Sequence, residues 1–359
     1  MAKLLLQYIK EQPEVWERIL GGREQIFEDF IHDTGNLSIE RLIFVGSGSS
    51  YLASLMAAEF ADHVSGFDCK VMTPAEVLRY RGSCDRDKTL ILASSQSGKS
   101  VSTMNAIRVW KEGGYVVAGI TADASSPVAK LVDLHYLVSC GEERVGPRTK
   151  GMTSTVLLLE LLVLAAAMKE KRMSGEVLES TISQFKKGIE AAKINIPICE
   201  AYFKKNISLF SQHKHAMIVA DPESSLAARE GALKMLETWY LPVLSYEVEE
   251  YTHGIHNTIQ EGSLNLFVVS EAENRSGMES LIAYCEEKGC DDWVISTVGG
   301  LRTKANLLEL TKGGAVFTTP FEILPAFQYL SAFGSENRGI ECDLPKFKDF
   351  YDCLGTKTR

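Results

Sequence analysis

The chain has 359 residues, 45% of them apolar and 24% charged, with a formal net charge of -9. That length exceeds one ordinary core and suits two domains of about 150 residues each. The acidic balance excludes a general nucleic-acid surface, which needs a basic face.

Residues 1–40 read as helical, with a helix over 7–20 and Pro13 expected at a break or a helix start. Apolar strands are then predicted at 42–45, 70–72, 90–93, 115–121 and 136–139, alternating with amphipathic helices. The longest apolar run, 156–168, is interrupted by Glu160 and is too short to span a bilayer, so it reads as a buried helix at a subunit interface. Residues 174–213 are helical and charged. Strands resume at 216–220, 243–248, 264–269, 293–296 and 315–318. Continuous apolar strands alternating with helices imply parallel sheets covered on both faces. The chain is therefore expected to be an α/β repeat of two doubly wound, three-layer α/β/α halves. The boundaries are a helical segment at 1–40, a first domain at 41–173, a connector at 174–213, a second domain at 214–337 and a tail at 338–359. The eight cysteines form no Cys-x-x-Cys pair. With no signal pattern after Met1-Ala2-Lys3 they are expected to be reduced, and the cytoplasm is the expected compartment.

Two turns in the first half share one chemistry. Gly46-Ser47-Gly48-Ser49-Ser50 and Ser94-Ser95-Gln96-Ser97-Gly98-Lys99-Ser100 each leave a strand and open a helix. Small residues let the backbone approach an anion, while helix N–H groups and hydroxyls supply donors. Neither turn is a dinucleotide loop, since Tyr51 stands at the third glycine. Neither is a Walker loop, since Ala93 stands where the first glycine is needed. In the second half, Glu230, Lys234 and Glu237 fall on one helical face, within about 60° of arc. Gly231, Ala232, Leu233, Met235 and Leu236 leave little else polar there, which argues against an ordinary solvated face. A carboxylate beside an ammonium suits enolisation: one moves the proton and the other steadies charge on oxygen. The strand ending at Val269 is followed by Ser270-Glu271-Ala272-Glu273, which is unsuited to phosphate.

The Ser-x-Ser-Gly-x-Ser turn, one α/β unit after a Gly-x-Gly-x-Ser turn, resembles the sugar-isomerase (SIS) domain. From Glu11-Gln12-Pro13 almost to the C-terminus, the chain resembles the isomerase half of the glucosamine-6-phosphate synthases. The resemblance implies two SIS domains in flavodoxin-like tandem. It implies a sugar 6-phosphate held by Ser49, Ser50, Ser95, Gln96, Ser97 and Ser100, with Glu143, Arg148, Thr149 and Lys150 in a loop that closes over the sugar. It also implies Glu237 as proton shuttle, Lys234 and Glu230 beside it, and His253 as ring-opening acid or base. His256 reads as structural, and His213 with His215 as a surface pair. The tail's Leu354-Gly355-Thr356-Lys357 resembles the segment that carries an imine-forming lysine, so Lys357 is a candidate, with Lys348 behind it. Arg148 and Lys99 depart from the family pattern and hint at a more acidic substrate, and Ile255 replaces a proline.

With about forty residues before the first strand, no glutaminase domain is expected. The implied protein is an enzyme of the phosphosugar isomerase or deaminase type, acting on a ketose or aminosugar 6-phosphate through an enol or enolamine. A fructosamine-6-phosphate deglycase and a non-catalytic sugar-phosphate sensor are the alternatives. The resemblance further implies a homodimer with a shared active site in which His253 reaches the neighbour. No metal ion is expected, because no histidine here has companions for one, and no cofactor, nucleic acid or membrane partner is expected either.

Overall fold

A computed structural model describes residues 2–80, 84–210, 212–347 and 349–358. It begins with two helices, α1 (Lys3–Gly21) and α2 (Arg23–Asp33). Contrary to the expected break, α1 runs through Pro13. Proline deprives the Ile9 carbonyl of its helical donor. The Gln12 side-chain amide donates to that carbonyl instead, at 3.1 Å, and also to Gln328 at 2.7 Å.

The first sheet is built from β1 (Arg41–Val45), β2 (Asp68–Met72), β3 (Thr89–Ser94), β4 (Val116–Thr121) and β5 (Leu134–Leu137). Between and after them lie α3 (Ser49–Ser65), α4 (Pro74–Arg79), α5 (Val101–Glu112), α6 (Pro127–Leu131) and α7 (Lys150–Lys169). All pairings are parallel, in the order β2-β1-β3-β4-β5. Strand β3 is buried along its whole length, as a central parallel strand covered on both faces must be.

Helix α8 (Gly175–Asn206) leads to the second sheet, which holds β6 (Ala216–Ala220), β7 (Val243–Glu247), β8 (Leu264–Val269), β9 (Asp291–Ser296) and β10 (Asn306–Glu309). Its helices are α9 (Ser225–Trp239), α10 (Val248–Thr252), α11 (Arg275–Glu287) and α12 (Thr319–Asn337), and α13 (Phe350–Leu354) lies in the tail. The order β10-β9-β8-β6-β7 repeats the first sheet's connectivity, again all parallel. Two tandem flavodoxin-like α/β/α sheets are thus present. In each, the chain reverses direction between its first and third strands, and ligands of open parallel sheets bind at such switch points.

The fifth strand of the second sheet differs from the sequence reading. Residues 315–318 form a 3-10 turn at Val316–Thr318 that leads into α12, and the edge strand is Asn306–Glu309. The run 315–318 resembles a strand in composition, but Pro320 at the first turn of α12 favours a helix start there.

The chain divides into two units. One comprises Glu14–Glu143, Lys150–Ile182 and Pro345–Arg359 with the first sheet, and the other comprises Met1–Pro13, Arg144–Thr149 and Ser183–Leu344 with the second. The interface expected of the apolar run 156–168 loses its motive. That run lies within the 20-residue α7, which is long and apolar enough to cross a membrane but is 94% buried inside the protein. It packs against α2 and α3 of its own unit, so its composition is that of a core helix.

Candidate active site

The two Ser-Gly turns of the first sheet sit at the ends of β1 and β3. Gly46 is required for close approach, because a Cβ there would fall 2.7 Å from the Ser50 carbonyl carbon. Gly48, at φ 56°, turns the chain into α3, which opens with the half-buried Ser49 and Ser50. After β3, Ser95 is buried, Gln96 and Ser97 are half-buried, and Gly98 has φ 63°. A Cβ at Gly98 would strike the Ser126 hydroxyl at 2.1 Å. Ser100 has a local structural duty: its Oγ caps α5 by accepting from Thr103 N at 3.3 Å.

Gln96 does more than line a turn. Its amide donates to Glu143 Oε2 at 3.1 Å, and the same oxygen accepts the Gly151 N–H at 3.1 Å. Gly151 leaves the room for this contact, since a Cβ there would sit 1.7 Å from Gln96 Nε2. Gly151 is not among the expected site residues, although a glycine in the first turn of an otherwise apolar helix is a signal of close approach. Glu143 is buried. So is Lys150, which is the first residue of α7 and not a loop residue.

The tail also reaches this turn. Ser100 and Lys357 form an antiparallel bridge, Val101 N donates to Thr356 O at 3.1 Å, and Thr358 N donates to Lys99 O at 3.1 Å. Lys357 is exposed, with its Nζ 3.7 Å from the centre of the Tyr351 ring. Lys348 lies outside the described residues.

The second sheet has a different switch point. Asp221, fully buried after β6, turns its carboxylate onto the chain that follows β8. It accepts from Ser270 N at 2.5 Å, Ser270 Oγ at 2.7 Å and Glu271 N at 2.8 Å, as well as from Ser224 N at 3.1 Å. Strand-end donors are thus satisfied by an internal anion. Glu223 and Glu271 stand alongside, with Lys312 2.7 Å from Glu223.

The charged stripe lies on α9. Gly231 lets α9 approach α12 so closely that a Cβ would meet the Phe327 ring at 2.4 Å. Behind that contact, Glu230 and Lys234 are almost completely buried. Lys234 Nζ lies 2.6 Å from Glu237 Oε2 and 3.4 Å from Glu230 Oε1. Burial pulls the Lys234 ammonium down, but the charges of Glu237 and Glu230 outweigh it and hold the group above its ordinary value. Glu237 remains one-third exposed. The result is a surface carboxylate oriented by a fixed cation beneath it, an arrangement that can take up a proton.

His253 closes α10, and its imidazole is 70% exposed, 3.3 Å from Glu249 Oε1. Gly254 follows at φ 116°. Arg148 is half-buried and Thr149 buried, in the unit of the second sheet. His213 is a correction to the sequence reading: it is buried and pairs with Asp291 at 2.7 Å, whereas His215 is exposed.

Residues 37–165 match the SIS domain family model. The isomerizing glutamine–fructose-6-phosphate aminotransferase of Aeropyrum pernix is 27% identical over 354 residues, which is 95% of this chain and 56% of that protein. The chain thus spans about half the length of the curated relatives it matches. A Clostridium difficile 630 protein named as a candidate phosphosugar isomerase superposes with a TM-score of 0.90 at 25% identity, covering 99% of both chains. The C-terminal domain of the Francisella tularensis glucosamine–fructose-6-phosphate aminotransferase shares the fold, with a TM-score of 0.82 at 20% identity over 95% of this chain and 98% of that one.

Proposed function

We propose that this chain, which carries a SIS domain at residues 37–165, is a phosphosugar isomerase that moves a proton between adjacent carbons of a ketose or aminosugar 6-phosphate. The intermediate is an enol or enolamine, and loss of the amine from the latter would make the enzyme a deaminase. The observation that carries this reading is the buried Lys234 ammonium holding the one-third-exposed Glu237 at 2.6 Å. A cation fixed beside a carboxylate steadies the enolate oxygen or orients the base, and it costs no reorganisation during reaction. Ser49, Ser50, Ser95, Gln96, Ser97 and Ser100 are proposed to take the phosphate, with Glu143 positioning Gln96 through their 3.1 Å contact. Glu230 supports Lys234 from below. Lys357, Arg148, Thr149 and Lys150 are proposed to contact the rest of the substrate.

His253 is proposed to open the sugar ring in the partner's site of a cytoplasmic homodimer. In one chain its imidazole is 70% exposed beside the exposed Glu249, which favours a role toward a neighbour. A deglycase acting on a fructosamine 6-phosphate is the second reading. It is favoured by the exposed Lys99 next to the Ser100 turn, where an amino-acid carboxylate would find a cation.

Incubation with a panel of hexose and aminohexose 6-phosphates in heavy water tests the reading. Deuterium at carbon 1 or carbon 2 is the expected result. Release of ammonia identifies a deaminase, and release of an amino acid a deglycase. Tight sugar-phosphate binding with no exchange on any substrate would instead make the protein a sensor.

A further inference from the structure

Helix α11 ends in a six-residue turn that brings two cysteines together. Gly289, at φ 76°, follows the helix; its N–H donates to Glu286 O at 3.1 Å, and the Cys290 N–H donates to Cys285 O at 3.2 Å. This is the Schellman arrangement, in which the side chains at the third residue from the helix end and the second beyond it come into contact. An apolar pair commonly fills those two places. Here both are thiols, neither in a disulfide.

Asp292, two residues on in β9, faces the same spot. One ligand atom from each of Cys285, Cys290 and Asp292 lies within 4.8 Å of the other two. Asp292 is 4% exposed. Its Oδ1 accepts from Asn265 Nδ2 at 2.9 Å, the residue opposite it on β8, whereas its Oδ2 is buried with no hydrogen-bond partner among the described residues. The surroundings are apolar: Met278, Ile282, Phe267 and Val294 pack into the same cluster. A buried carboxylate oxygen without a donor is costly in such a setting. A cation held jointly with the two sulfurs removes that cost.

We propose that Cys285, Cys290 and Asp292 form a binding site for a soft divalent metal ion, zinc by preference. Two thiolates and a carboxylate are a ligand set that zinc accepts and that magnesium or calcium does not. Asn265 fixes the carboxylate through the oxygen that does not bind, as outer partners of metal ligands do. Three protein ligands leave a fourth position for water, and the half-buried Cys290 opens the way in. Binding balances as one zinc(II) ion plus two thiols and one carboxylate giving the bound centre plus two released protons. The cysteines are five residues apart, not three, so no Cys-x-x-Cys spacing marks them in the sequence. Only the glycine turn and the first residues of β9 bring them to one point.

The test is cobalt(II) titration of the reduced full-length protein, with zinc competition afterwards. One cobalt per chain, with a sulfur-to-cobalt charge-transfer band that zinc abolishes, is expected. The band should be lost in Cys290→Ser and in Asp292→Asn and kept in Cys353→Ser, which removes an exposed thiol elsewhere. Zinc should also raise the thermal midpoint of the parent and of Cys353→Ser but not of Asp292→Asn, a readout that does not depend on the sugar-phosphate reaction. Absence of the band, its survival in Cys290→Ser, or peptide mass mapping that shows Cys285 and Cys290 joined in a disulfide in protein purified without air would each overturn the assignment.

Discussion

Lys234 and Glu237 meet at 2.6 Å on one face of α9, with the ammonium buried and the carboxylate one-third exposed. The asymmetry matters more than the contact. A buried cation cannot turn away to water, so it holds whatever carboxylate reaches it, and Glu237 is the one that also faces solvent.

Glu237→Gln is therefore expected to leave the fold and ligand affinity intact while lowering turnover by roughly 10²–10⁴, the usual contribution of a positioned general base. Steady-state kinetics and calorimetry on the substrate found by deuterium exchange check this. Near-normal turnover would remove Glu237 from the mechanism. If His253 serves the neighbouring subunit, inactive Glu237→Gln and inactive His253→Ala should complement each other when mixed. Random pairing into two-fold dimers then restores at most about a quarter of the parental activity. No gain in confirmed mixed dimers would place His253 in its own subunit's site or outside catalysis.

Ser97 and Ser100 should separate under mutation: both are proposed phosphate ligands, but Ser100 also caps α5, whereas Ser97 Oγ accepts the Lys99 N–H at 3.4 Å. Ser100→Ala removes the α5 cap, at a cost of about 1 kcal/mol of stability. Ser97→Ala leaves that cap in place and should weaken sugar-phosphate binding by a hydrogen bond to a charged group, about 1.5–3 kcal/mol. Denaturant midpoints and calorimetry distinguish the two. A Ser97→Ala protein with parental affinity would move the phosphate elsewhere.

Glu160 should report on pH. It is completely buried in α7, and neither carboxyl oxygen has a hydrogen-bond partner among the described residues. Burial alone lifts its carboxyl well above the ordinary value. The unfolded chain ionises this group near pH ~4.3. The folded protein therefore holds the proton longer, and the associated stability is full below that pH and is lost as pH rises toward the folded value. Glu160→Met keeps the unbranched shape and has no charge to bury. It should be more stable than the parent by about 1–3 kcal/mol near neutral pH, with the gap closing as pH falls toward 4. Thermal melts of both proteins from pH 4 to pH 8 test the sign, and parallel pH profiles would refute it.

The sequence by itself determined all but one strand of the two sheets, the Ser-Gly turns after β1 and β3, and the α9 stripe. Each of these is a local pattern: continuous apolar strands, Ser-Gly turns at strand ends, and polar residues spaced by four and three on an apolar helix. Strand β6 (Ala216–Ala220) and strand β8 (Leu264–Val269) fall where their apolar runs place them. Only the tertiary structure decided the rest. It placed the fifth strand of the second sheet at Asn306–Glu309, because an edge strand buries little and leaves little apolar signal in its residues. It joined Gln96 to Glu143 and Gly151, buried His213 against Asp291, pressed the tail onto Lys99 and Val101, and brought Cys285, Cys290 and Asp292 together. Each of these groupings except the cysteine turn joins residues well apart in the chain. Their partners are chosen by how strands and helices pack, which no spacing along the sequence records.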